Sequence, residues 1–177
     1  MVSECATANR LSSDSYTEPY NHRLGKLIGV ENMENAREQL VGGCLCGALR
    51  YECSSRPKDV TYCHCPDCRK TTGSAFCVGV CVCIDALKIL CGSVKEYSKT
   101  ADSGNKITRQ FCHECGSPLF TKVDAFPHLV WIKAGSLDEP GHLKPTHQTW
   151  TQFAVPWAHI SDDLPSFPQG GPIRDNK

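Results

Sequence analysis

Seven cysteines stand in three tight groups: "GGCLCG" holds Cys44 and Cys46, "CHCPDC" holds Cys63, Cys65 and Cys68, and "CHECG" holds Cys112 and Cys115. Thiols two or three residues apart can reach one tetrahedral ion without strain, and thiolate is a soft donor suited to zinc. Seven divides as four plus three. A structural zinc site takes four protein ligands, whereas a catalytic one keeps three and leaves a position for water or substrate, so the count allows one closed and one open site. "FCHECGSPLF" has the form of a zinc knuckle, with Gly116 accepting a turn that other residues resist. Joining Cys44 and Cys46 to Cys112 and Cys115 is the simplest pairing; it staples the first strand to a late one and leaves Cys63, Cys65 and Cys68 as a group of three. On spacing alone, a square of Cys65, Cys68, Cys112 and Cys115 stays open.

Three thiolates around zinc give a centre of formal charge −1, a poorer generator of hydroxide than a three-histidine centre. A soft fourth ligand such as a substrate thiol suits it, which makes formation or cleavage of a carbon–sulfur bond the leading reaction class. A dehydratase or lyase acting on a non-thiol substrate is the alternative enzyme, and a non-catalytic zinc-binding interaction module is the third reading. His64, inside the metal loop, and His147, in "PTHQTW", are the candidates for proton transfer. Arg109, in "ITRQFC", is a candidate for binding a substrate carboxylate, with a surface salt bridge as the plainer use. Trp131, Trp150 and Trp157 are expected in the core or a pocket wall. Thr71, Thr72 and Ser74 are expected to support the turn after the open site and to donate hydrogen bonds to sulfur. The other thiols, Cys5, Cys53, Cys77, Cys81, Cys83 and Cys91, lack metal spacing; Cys81 and Cys83 share one strand face and read as small buried hydrophobes.

These residues must be held by a single domain, since 177 residues with 40% hydrophobic and 21% charged composition are too few for two ordinary cores. Nineteen basic and nineteen acidic residues cancel, so no global field favours nucleic acid or an anionic membrane. No apolar run reaches the roughly 18 residues of a membrane span, and the first two dozen residues lack the pattern of a secretory signal. The expected address is the cytoplasm, with the nucleus also open, and there thirteen cysteines point to metal or catalysis and not to disulfides. "ALRYEC", "AFCVGVCVCI", "ALKILCG", "KEYSK", "KITRQFC", "PLFTKV" and "LVWIKAGSL" read as short strands between Gly and Pro turns, a mainly β body. Residues 1–38 form an N-terminal arm, loose at first and with a short amphipathic helix near its end. The domain spans 39–168, and a Pro/Gly-rich flexible tail covers 169–177.

"GGCLCGALRYE", "CHCPDCRKTTGSAF", "RQFCHECGSPLF", "IKAGSLDEP" and "PTHQTWTQFAVPWAHISDDLPSFP" occur in this order. Together they resemble the glutathione-dependent formaldehyde-activating enzyme family, which also includes the centromere protein V domain. The resemblance implies an Mss4-like β-tent of small antiparallel sheets around a structural zinc. Carried over residue by residue, it makes Cys44, Cys46, Cys112 and Cys115 the structural zinc ligands and Cys63, Cys65 and Cys68 the catalytic ones, two zinc ions per chain. It implies a carbon–sulfur lyase whose partner is a small molecule, a thiol adduct or glutathione. The "PTHQTW...PWAHISDDLPSF" ending departs from the enzymes that give the family its name, and no motif places glutathione-contacting residues.

Overall fold

The computed structural model describes residues 39–172. The arm expected over 1–38, with its helix, lies outside the described residues, as do 173–177. Eleven strands carry the described part: β1 (Leu40–Gly43), β2 (Arg50–Cys53), β3 (Asp59–Cys63), β4 (Cys77–Cys83), β5 (Leu87–Cys91), β6 (Val94–Thr100), β7 (Lys106–Cys112), β8 (Pro118–Val123), β9 (Leu129–Lys133), β10 (His147–Thr149) and β11 (Ser166–Phe167). The expectation of a mainly β fold holds. One α-helix, α1 (Pro66–Thr72), interrupts it where the sequence suggested only a turn. Its start and stop have local causes: Cys65 caps the N-terminus by accepting from the Cys68 amide, Pro66 occupies the first turn, and Gly73 ends the helix at φ +64°.

The strands form two sheets, a three-stranded one in the order β1-β2-β5 and an eight-stranded one in the order β11-β10-β3-β4-β9-β8-β7-β6. β10 runs parallel to both β3 and β11, and the other pairs are antiparallel. The strand period of two gives the large sheet its two faces. On one face Val60, Val80, Val82, Phe120, Val130 and Ile132 pack against the small sheet, which contributes Leu40, Tyr51 and Cys53. On the other, Asp59, Thr61 and Cys63 of β3, Cys77, Gly79 and Cys81 of β4, and Trp131 and Lys133 of β9 line a cavity. β4 is therefore covered on both sides, which is why its sequence is apolar without alternation.

Tyr51 and Phe120 meet edge to face, ring centroids 4.9 Å apart, at the centre of the layer between the sheets. The Tyr51 hydroxyl bonds with Ser136 Oγ at 2.7 Å, so the buried ring leaves no orphaned polar atom. Phe120→Ala should lower the free energy of unfolding by about 3–5 kcal/mol in urea denaturation of the metal-loaded protein. A loss below about 1 kcal/mol would contradict this account of the core.

Candidate metal centre and adjoining pocket

Two cysteine clusters form, and their membership resolves the pairing that spacing left open. Cys44, Cys46, Cys112 and Cys115 have their sulfurs within 4.8 Å of one another, and so do Cys63, Cys65 and Cys68. The alternative square of Cys65, Cys68, Cys112 and Cys115 is not the grouping found. In the first cluster Cys44 and Cys46 follow β1, Cys112 ends β7, and Cys115 lies in the turn to β8, so the four thiols join the two sheets.

The donor set fits a zinc ion. Sulfurs on a tetrahedron with bonds of about 2.3 Å lie about 3.8 Å apart, and Cys44 and Cys46 are separated by 3.4 Å and Cys46 and Cys112 by 3.9 Å. Backbone amides already point at the sulfurs, as a thiolate requires: Leu49 N donates to Cys44 Sγ at 3.2 Å and Glu114 N to Cys112 Sγ at 3.4 Å. Gly116, at φ +73°, provides the left-handed turn that the knuckle needs. A hydrogen bond with Ser117 holds the Cys115 thiol down at about 6.

The three-thiol cluster is built by the end of β3 and the start of α1. Cys68 N donates to Cys65 Sγ at 3.3 Å. Hydrogen bonds from Cys63 and Cys68 hold Cys65 at about 2, while the contact with Cys65 pushes Cys63 up to about 11 and contacts with Cys63 and Cys65 push Cys68 upward. Crowded sulfurs thus share protons so that one carries the charge, an arrangement ready to exchange protons for a cation. Asp67, between two of the ligands, is clamped by Arg109 Nη2 at 3.2 Å and Lys99 Nζ at 2.9 Å. Arg109 is only 8% exposed, so its salt bridge belongs to the site and not to the surface. Thr71 and Thr72 do not serve sulfur: their hydroxyls donate back to the carbonyls of Asp67 and Cys68 within α1, which consumes their hydrogen-bonding capacity.

This cluster opens onto a cavity of about 260 Å³ on the far face of the large sheet. Trp131, Trp150 and Phe153 supply aromatic wall, Ile107 and Val123 aliphatic wall, and Gly170, Gly171 and Pro172 also line it. Trp150 holds φ +57°, rare for a bulky residue, with its amide bonded to Gln169 O at 2.9 Å and its ring stacked on Phe153. Trp157, expected in the core or a pocket wall, is 75% exposed and joins neither.

The two histidines part company. His147 lines the cavity, with Nδ1 3.0 Å from Thr146 Oγ1 and 3.6 Å from Asp59 Oδ1, and Nε2 3.4 Å from Thr61 Oγ1. His64 follows Cys63 directly, and strand alternation turns it to the opposite face, where it is buried with Nε2 3.0 Å from Gln148 Oε1. It is not among the cavity's lining residues. Two lining residues were not expected at the site: Cys77, directly opposite Cys63 across the β3–β4 pair, and Lys133, whose Nζ donates to Cys77 Sγ at 3.2 Å. A hydrogen bond from Cys68 and the charge of Lys133 hold the Cys77 thiol at about 6, against the effect of burial. Burial alone would depress Lys133, but the charge of Cys77 and the neighbouring thiols reverses the direction and raises it. A lysine closing the apolar run "LVWIK", on the same face as Trp131, is the available sequence signal.

A two-sheet β scaffold that gathers one four-thiol and one three-thiol cluster defines a protein with two candidate metal centres. Residues 39–153 match the profile of the glutathione-dependent formaldehyde-activating enzyme family, and the chain belongs to that family. Among solved structures it is similar to a protein of Rhodobacter sphaeroides, at 20% identity, 59% coverage of this chain, 91% of the other and a TM-score of 0.46. No curated protein matches. Among the described residues no helix is long and apolar enough to cross a membrane.

Arg109→Met removes a cation from Asp67 while keeping an apolar stem, and should weaken zinc at the three-thiol cluster by about 10-fold or more in chelator competition. Affinity at the four-thiol cluster should not change. An equal fall at both would show that Arg109 acts on the whole fold and not on the α1 loop.

Proposed function

We propose that the chain is a zinc-dependent enzyme of the carbon–sulfur lyase type, forming or cleaving the adduct of a thiol and a small electrophile beside Cys63, Cys65 and Cys68. The observation that carries this reading is the contrast between the clusters. Four thiols gather between the sheets in the number a closed tetrahedral site takes, whereas three open onto a partly aromatic cavity. Zinc held by the three thiolates would supply a Lewis acid that keeps a substrate thiol deprotonated near neutral pH.

The chain's own residues divide the remaining work. His147 takes the proton released by the thiol, and Asp59 with Thr146 orients the ring through Nδ1. Proton transfer falls to His147 and not to His64, because only His147 faces the cavity. Trp131, Trp150 and Phe153 exclude water around the reacting groups. Arg109 and Lys99 fix the α1 loop through Asp67, so the three sulfurs keep their positions as a substrate enters. Glutathione and formaldehyde, named in the family description, are the first pair to try. The clustered thiols suit a reducing compartment such as the cytoplasm.

The purified chain should carry two zinc ions, one per cluster. Cys65→Ser or Cys68→Ser should remove one ion selectively while the far-ultraviolet circular dichroism spectrum persists. A single ion in the unaltered protein, or global unfolding of both variants, would sink the open-site reading. NMR of glutathione mixed with formaldehyde should show faster adduct exchange with protein present. His147→Gln should slow this acceleration by about 100-fold or more without releasing zinc; an unchanged rate would remove His147 from the proton path.

A further inference from the structure

Lys133 is 7% exposed at the end of β9, and its ammonium lines the cavity that receives the three-thiol cluster. Among the described residues it has one hydrogen-bond acceptor, Cys77 Sγ at 3.2 Å. An ammonium carries three N–H donors and Cys77 takes one of them, so a buried lysine held in this way has donors left for an oxygen. Cys77 pairs directly with Cys63 across β3 and β4, and Gly79 pairs with Lys133 across β4 and β9. Lys133 is thus set diagonally across from Cys77, one residue's width from the cluster. Gly79 contributes no side chain between them, and the Trp131 ring lies over it as the adjoining wall.

Resting on the thiol reading above, with a carbonyl compound such as formaldehyde as the electrophile, we propose that Lys133 is a catalytic residue that binds the carbonyl oxygen. In the addition, the thiolate sulfur forms a bond to the carbonyl carbon and the carbon–oxygen π pair moves onto oxygen. Lys133 donates a hydrogen bond to that oxygen as its charge grows. The proton first released by the thiol returns from His147 through solvent to the oxygen, giving a neutral hemithioacetal, and the reverse sequence cleaves it. An alkyl halide or an activated alkene without an oxygen at this distance would make no use of the ammonium. The resting contact with Cys77 keeps the lysine oriented while the cavity is empty.

The competing role for Lys133 is purely electrostatic, a counter-charge for the thiolate cluster. Two thiols separate these roles when their binding to the Co(II)-substituted full-length protein is followed through the sulfur-to-cobalt absorption band. Mercaptoacetate carries an oxygen three bonds from sulfur, one bond beyond the position of the adduct oxygen and within reach of a long, flexible ammonium side chain, and ethanethiol carries none. The unaltered protein should prefer mercaptoacetate, although its extra negative charge would by itself be repelled by the cluster. Lys133→Met should weaken mercaptoacetate by about 10- to 100-fold and leave ethanethiol within about 2-fold. Equal weakening of both thiols, loss of cobalt from the three-thiol cluster, or no preference in the unaltered protein would each overturn the assignment. The last comparison needs no variant and stands even if Lys133→Met does not fold. If neither thiol binds the unaltered protein, the thiol reading itself falls, and this inference with it.

Discussion

Seven sulfurs gathered into two clusters impose the constraint on which the structure depends: like-charged thiolates cannot stay within a few ångströms of one another without a cation. The four-thiol cluster meets this constraint at the seam between the sheets, where β1 of the small sheet and the β7–β8 turn of the large one come together. A cation there is a crosslink between layers as well as a charge balance. The apolar layer centred on Tyr51 and Phe120 lies between the same two sheets, so metal binding and core burial reinforce each other.

The three-thiol cluster solves the same problem differently. Protein groups surround it at one remove: Arg109 and Lys99 act on it through Asp67, and Lys133 acts through Cys77. These cations balance excess negative charge without occupying the position a guest would take. Three of the five groups that meet here, Arg109, Lys133 and Cys77, are largely buried, and charges in such surroundings are screened less than on a surface. The order of the cavity wall thus matters to the chemistry as much as the identity of the sulfurs.

Whatever depends on local spacing was legible in the sequence. The Cys groups, the strands "KITRQFC" and "PLFTKV", and the doubly covered strand around Val80 all follow from patterns within a few residues. Helix α1 was hidden because a seven-residue element offers too little periodicity to detect, although Pro66 and Gly73 mark its ends. Asp59, Asp67, Cys77 and Lys133 were invisible for another reason: their meaning comes from partners on other elements. Cys77 meets Lys133 only once β4 and β9 have paired in register, and nothing in either segment states that register. His64 was legible in principle. Once Cys63 is placed facing the cavity, the residue after it on the strand must face away.

The alternation in β4 and β9 has one more consequence. Each strand presents one row of side chains to the core and a separate row to the cavity, so residues such as Gly79, Cys81 and Trp131 can be exchanged while Val80, Val82 and Ile132 continue to hold the layers together. Foldability and selectivity are written on opposite sides of the same strands. A scaffold arranged in this way can diversify its chemistry by point substitution, and descendants with unrelated substrates need share little beyond their cysteines and their core.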